Sequence, residues 1–124
     1  MEARIYVPSS NNGGVAIDVF DNVPPWGCDR RTFYLRFLPD GSVCYYREHD
    51  TLIPGLRIKT DAWQDLFIRA HMKNTVFDVT VDGETVKSLP FADGAVHRLM
   101  TICLGPNSNN STLYVGRLKA KVIP

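Results

Sequence analysis

The sequence predicts an all-β protein, an antiparallel two-sheet jelly-roll sandwich of about ten short strands. Three observations lead there. Apolar and polar residues alternate with period two through Gln64–His71 and Thr75–Val81, the pattern of strands buried on one face. Asp82-Gly83 follows the second run and precedes Glu84–Leu89, and Asp-Gly between alternating runs is the strongest short-range hairpin signal. Turn-forming clusters punctuate the rest, at Ser9–Gly14, Pro39-Asp40-Gly41, Asp93-Gly94 and Gly105–Asn110.

The elements follow in order. Ala3–Val7 and Val15–Phe20 are short, β-branched and bounded by turn residues. Thr32–Leu38 alternates on Phe33, Leu35 and Phe37, and Ser42–Arg47 alternates on Val43 and Tyr45. Gly55–Ile58 is a shorter run. Asp61–Met72 is the one stretch that competes as a helix, but Leu66, Ile68 and Ala70 fit period two better than 3.6. Val96–Leu104 and Thr112–Val122 complete the set. The longest irregular segment, Asp21–Arg31, contains Pro24-Pro25-Trp26-Gly27 and is the candidate functional loop.

Length and charge narrow the classes. A chain of 124 residues fits one domain, residues 1–124. The formal charge is +1 and no basic stripe exists, so no nucleic-acid partner is expected. The longest basic cluster, Arg30-Arg31, reads as a solvated turn. No apolar run approaches the ~20 residues of a membrane helix, so no membrane partner is expected. The strand-like N-terminus has no secretory h-region, which suits a cytoplasmic protein, or an extracellular or periplasmic one after removal of a signal peptide. The three cysteines, Cys28, Cys44 and Cys103, form no Cys-x-x-Cys. His49, His71 and His97 do not fall at ligand spacing with them, so no metal and no cofactor is expected. Two overlapping sequons begin at Asn109 and Asn110.

The order of landmarks resembles the concanavalin A-like lectin/glucanase superfamily in its laminin-G-like branch. The carrying residues are Phe33-x-Leu35-x-Phe37-Leu38-Pro39-Asp40-Gly41-Ser42-Val43, Trp63-x-x-Leu66-x-Ile68 and Phe77-x-Val79-x-Val81-Asp82-Gly83. Leu89-Pro90-Phe91 and Leu113-Tyr114-Val115-Gly116-Arg117-Leu118 continue the series. The resemblance implies a curved jelly roll with Trp63 as a core residue. It covers most of the chain and identifies a fold far better than an activity. Such domains usually run longer and begin with strands that pair with the last one. An uncovered edge strand, and with it a homo-oligomer, is therefore the expectation. Gly116 stands where relatives often carry an acidic residue, which weakens any calcium role.

Catalytic chemistry finds little support. Hydrolases of this superfamily use Glu-x-Asp-x-x-Glu to hold a nucleophile and an acid/base on one strand face. The nearest approach is Glu48-His49-Asp50, with Ile53 in the place of the third acid, so the chain is read as no enzyme. Binding is better served. Parity assigns Val15, Ile17, Val19, Phe33, Leu35, Phe37, Val43, Tyr45, Leu66, Ile68, Ala70, Phe77, Val79 and Val81 to the core. It turns Asp18, Phe20, Tyr34, Arg36, Tyr46, Glu48, Phe67, Arg69, His71 and Asp78 outward, across strands that divide between two sheets. Aromatic rings mixed with charged groups suit a glycan surface. Trp26, in its proline-rich loop, is either a loop anchor or a ligand platform. The expected function is a non-catalytic carbohydrate-binding module with Trp26, Tyr34, Arg36, Tyr46, Arg69 and His71 as contacts. The alternative is a structural or protein-interaction module, and a polysaccharide hydrolase or lyase comes third.

Overall fold

Alternation decides which side of each strand can leave water, and two such sheets bury their apolar sides against each other. In the computed structural model of the chain, residues 1–21, 31–92, 99, 101–106 and 110–121 are described. They contain ten strands and no helix: β1 (Glu2–Tyr6), β2 (Val15–Phe20), β3 (Arg31–Phe37), β4 (Ser42–Arg47), β5 (His49–Arg57), β6 (Trp63–His71), β7 (Val76–Val81), β8 (Glu84–Pro90), β9 (Thr101–Pro106) and β10 (Tyr114–Lys119). Sheet I has the order β10-β1-β6-β7-β8 and sheet II the order β5-β4-β3-β2-β9. Every pairing is antiparallel. The all-β two-sheet sandwich is the architecture the alternation predicts.

The long-range pairings are nested. β1 pairs with β10 in sheet I, and β2 pairs with β9 in sheet II. The chain's own first strand thus pairs with its closing strand, lying between β10 and β6. Local pairings are set by turns. Asp82 (φ 47°) and Gly83 (φ 87°) both take the left-handed conformation that a type I′ hairpin demands, and Val81 pairs with Glu84 across the turn.

The core follows the parity assignment. Val15, Ile17, Val19, Phe33, Leu35, Phe37, Val43, Leu66, Ile68, Phe77, Val79 and Val81 are buried, while Tyr45 and Ala70 are half-buried at its border. Phe33 of sheet II stacks on Phe77 of sheet I with ring centroids 4.5 Å apart, and Phe91 lies 5.7 Å from Phe33. Gln64 is a buried polar group on β6. Its amide accepts from the Lys59 N–H (3.0 Å) and donates to the Lys59 carbonyl (2.7 Å), so it enters the core fully satisfied and fastens the β5–β6 connection.

Several expectations need correction. β5 begins at His49, not Gly55, and directs Ile53 into the core. It tolerates Pro54 and a left-handed Gly55 (φ 77°) because it is an edge strand with one unpaired side. β9 starts at Thr101 and β10 ends at Lys119; residues 96–98, 100 and 122 of the expected strands lie outside the described residues. Trp63 is not a core residue. It is 48% exposed, because it shares parity with Asp65, Phe67 and Arg69 on the outer side of β6.

This division predicts contrasting mutant stabilities. Phe77→Ala should cost about 3–5 kcal/mol in urea unfolding, as expected for a buried aromatic that leaves a cavity. Trp63→Ala should cost less than about 1 kcal/mol, because half of its surface already faces water.

Candidate functional site

The residues expected to form one site occupy opposite sides of the molecule. Tyr34, Arg36 and Tyr46 lie on the outer face of sheet II, and Arg69 and His71 on the outer face of sheet I, with the whole core between them. Trp26 lies outside the described residues.

On sheet II the outer face is closed by its own side chains. One cross-strand row runs Asp50, Tyr46, Tyr34, Asp18 and Cys103 from β5 to β9. Arg31, at the start of β3, donates from Nε and Nη2 to the two carboxylate oxygens of Asp18, each at 2.8 Å. Its guanidinium carbon lies 4.8 Å from the ring centroids of both Tyr34 and Tyr46 and 5.6 Å from that of Phe20. Arg31 is therefore no solvated turn residue but the hub of the face, where a planar delocalised cation can pair bidentately and face aromatic rings together. The Tyr34 hydroxyl donates to Asp50, and Arg36 Nη1 donates to the same carboxylate at 2.7 Å. Arg36 also lies across Gly14, where an added Cβ would meet its Cγ at 2.8 Å, so only glycine lets that side chain lie flat.

Burial dominates the electrostatics of this face. Asp18, Phe20 and Tyr34 point away from the core yet are almost inaccessible, Tyr34 at 3%. Desolvation pushes the Asp18 carboxyl above its ordinary value, outweighing the pull of Arg31 in the other direction. Desolvation, then the bond to Asp50, also raises the Tyr34 hydroxyl, and burial raises the Cys44 thiol. With Tyr34 inaccessible and bonded to Asp50, this arrangement gives a ligand little purchase. Glu48 sits in the adjoining β4–β5 turn with a left-handed backbone (φ 66°) and is exposed, and Ile53, in the place of the third acid, is a core residue.

Sheet I presents the opposite case. Tyr114, Tyr6 and Trp63 stand in one row on the adjacent strands β10, β1 and β6. The Tyr6 ring centroid is 5.7 Å from each neighbour, tilted 60° to Trp63 and 84° to Tyr114. Trp63 is 48% and Tyr114 52% exposed, an apolar cluster that faces water. The next row is Gly116, Arg4 and Asp65, with Arg4 Nε 3.2 Å from the Asp65 carboxylate. Gly116 lies against the Trp63 ring: a Cβ there would meet Trp63 Cζ3 at 3.5 Å, an ordinary contact, so packing does not require the glycine. A basin of about 400 Å³ continues over Glu2, Arg4, Asp65, Phe67, Thr80 and Arg117.

Loops at this end hold the aromatic row in place. Ser9 donates from its backbone N–H and from Oγ to the Asp61 carboxylate, at 2.9 and 2.5 Å, two residues ahead of Trp63. Asn11 accepts from the Thr112 N–H and donates to its carbonyl, at 2.8 and 2.9 Å, two residues ahead of Tyr114. Arg69 and His71 share this face at its far end, about 20 and 26 Å along β6 from Trp63 at ~3.3 Å per residue. His71 Nε2 lies 2.8 Å from Asp78 Oδ2, and Asp78 Oδ1 accepts the N–H of left-handed Ser88.

No protein-family model, curated protein or solved structure matches this chain.

Among the described residues no cluster of His, Cys, Asp and Glu could hold a metal ion. The residues that sequence reasoning missed, Tyr6, Trp63 and Tyr114, had a usable signal. Trp63 shares the parity of Asp65, Phe67 and Arg69, and the cross-strand register alone brings the two tyrosines beside it.

Two pH predictions follow from the carboxylates. The raised value of Asp18 means that the folded protein takes up its proton more readily than the unfolded chain, so the group opposes folding above its folded pKa. In Arg31→Met, which leaves Asp18 buried without its cation, stability in urea should rise as pH falls from 7 to 5. Asp78 has the opposite sign. His71, and then the Ser88 N–H, hold its carboxyl below the ordinary value, so its contribution is present above about pH 4 and fades as pH falls through its folded pKa. Asp78→Asn should therefore be less stable than wild type at pH 7, with the gap narrowing towards pH 2.

Proposed function

We propose that this chain is a non-catalytic carbohydrate-binding module of lectin-like, concanavalin A-like type, and that the outer face of sheet I is its glycan surface. The observation that carries this reading is the row Tyr114, Tyr6 and Trp63, whose two outer rings are exposed on either side of half-buried Tyr6. Exposing large rings to water is unfavourable, and a contiguous apolar patch on a sheet marks a contact surface. Pyranose rings present C–H groups that rest on the negative face of an aromatic ring, while their hydroxyls need directional partners. The Arg4–Asp65 pair supplies such partners in the adjacent row, where Gly116 adds no side chain against the Trp63 ring.

Ring orientation narrows the ligand. The three rings are steeply inclined to one another and do not form a flat plane. Such a row suits a single twisted chain or a chain end and not the flat face of a crystalline polysaccharide. The sequence-derived contacts divide accordingly. Arg69 and His71 stay on the proposed face as distal groups, whereas Tyr34, Arg36 and Tyr46 support sheet II.

A glycan array tests this reading. Soluble oligosaccharides should be retained and crystalline cellulose should not. Trp63→Ala and Tyr114→Ala should each weaken retention at least about tenfold, in the range of aromatic hot spots, with unchanged cooperative unfolding. Gly116→Leu should abolish binding by placing a bulky side chain against the Trp63 ring and should leave the melting temperature within about 4 °C of wild type. A protein that retains no glycan at millimolar concentration, or a Trp63→Ala/Tyr114→Ala double variant that binds as well as wild type, would favour the structural or protein-interaction module. Turnover of a polysaccharide that disappears in Glu48→Gln would instead return the chain to the hydrolases and lyases.

A further inference from the structure

Asn12-Gly13 is the one Asn-Gly pair in the sequence, and it lies in the connection between β1 and β2. Such a pair carries its own chemistry. The nitrogen of the following residue can close on the asparagine side-chain carbonyl to form a five-membered succinimide. Glycine leaves that nitrogen without a neighbouring Cβ in the way. Two barriers oppose the reaction. The amide nitrogen is a poor nucleophile while it keeps its proton, and the carbonyl oxygen must take up a proton as charge gathers on it.

The fold places one hydroxyl at both barriers. Ser111 stands 98 positions from Gly13 in the sequence, yet its Oγ accepts from the Gly13 N–H at 3.1 Å. It donates to Asn12 Oδ1, also at 3.1 Å. Both distances are within the reach of a group that moves a proton. The Gly13 carbonyl, again at 3.1 Å, is a second acceptor for the same proton. A hydroxyl suits this place because it accepts on a lone pair while donating its single proton. Ser111 is 6% exposed, whereas Asn12 is open to water. Neighbouring bonds fix the arrangement: Asn11, before the reacting pair, clamps both backbone groups of Thr112, the residue after Ser111.

We propose that Asn12 is a self-modifying residue, converted to aspartate and isoaspartate by a cyclisation that Ser111 catalyses. The Gly13 nitrogen forms its new bond to Asn12 Cγ as it gives its proton to Ser111 Oγ. The carbonyl π pair moves onto Asn12 Oδ1, which takes the proton that Ser111 held, so the hydroxyl is regenerated. The tetrahedral carbon then re-forms its C=O, returns that proton to Nδ2 and expels ammonia, leaving the succinimide. Water opens the ring at either carbonyl. Atoms balance with water as the one co-reactant and ammonia as the one leaving group. The product adds a negative charge beside the Asn11–Thr112 clamp, two residues ahead of Tyr114, and the isoaspartyl form also adds a backbone atom.

Timed incubation of the whole chain at neutral pH, read by isoelectric focusing and peptide mapping, tests the proposal. The native protein should lose its formal charge of +1, with the change mapped to Asn12 and not to Asn74, which precedes the branched Thr75. It should react faster than the same chain unfolded in guanidinium chloride, where Ser111 no longer stands beside Gly13. Its rate should also rise less steeply with pH than that of the unfolded chain, because the relay removes the need for hydroxide. Ser111→Ala should slow the native reaction at least about tenfold, since a positioned proton-transfer group contributes about a hundredfold or more. Ser111→Thr, which keeps the hydroxyl, should restore most of the rate. A native protein that deamidates no faster than its unfolded chain would overturn the proposal, and that comparison needs no variant. So would a folded Ser111→Ala protein that reacts at or above the wild-type rate, which would make Ser111 a lock on Asn12. Glycan retention enters none of these measurements, so the two assignments stand or fall independently.

Discussion

The stack of Phe33 on Phe77, extended by Phe91, is the contact through which the two sheets become one structure. Phe33 belongs to β3, the middle strand of sheet II, and Phe77 to β7, beside the middle strand of sheet I. Neither sheet alone can hide its apolar side, so inter-sheet burial is the term that makes strand pairing worthwhile. Everything outward then follows from parity. Once Phe77, Val79 and Val81 face in, Asp78 and Thr80 must face out, and the same rule commits Trp63 and Tyr6 to the surface.

The two outer faces solve opposite problems. Sheet II covers its aromatic residues with a paired arginine, so that Asp18, Arg31, Tyr34 and Asp50 become a second, polar layer of packing. A planar cation among rings is held there by its bidentate pairing with a carboxylate, although β3 also buries Arg36 Nε and Thr32 Oγ1 without a hydrogen-bond partner among the described residues. Sheet I leaves its rings uncovered and spends its hydrogen bonds on the loops that orient them, Ser9 to Asp61 and Asn11 to Thr112. The contrast between the two faces is one of exposure: sheet II buries Tyr34 and Phe20 under paired side chains, whereas sheet I leaves Trp63 and Tyr114 half open to water.

Most of the sandwich was legible because its determinants are local. Period-two alternation located β2, β4, β6 and β7 to within a residue, and Asp82-Gly83 encoded its own left-handed turn. β5 was read short because Pro54 and Gly55 normally interrupt strands, and only its edge position excuses them. The site was far less legible. Arg31 reads locally as a turn cation; its role depends on Asp18, a cross-strand neighbour that no local pattern reveals. Tyr6 and Tyr114 are more than one hundred positions apart, and only the β1–β10 register brings them together. Trp63 carried a readable signal in its parity, which its likeness to a buried family tryptophan concealed.

The nested pairing of the chain's ends has a kinetic meaning. Glu2 must find Lys119 and Val15 must find Pro106, so two of the defining ladders close loops that span nearly the whole sequence. Such topology carries a high loop-closure entropy that is repaid only late, which places folding among slow, non-local β proteins. During synthesis β1 emerges well before β10 and waits for it, while the hairpin at Asp82-Gly83 can form as soon as it leaves the ribosome. The proline, glycine and lysine residues that interrupt the edge strands β5, β8, β9 and β10 therefore guard the half-made sheet as much as the finished one.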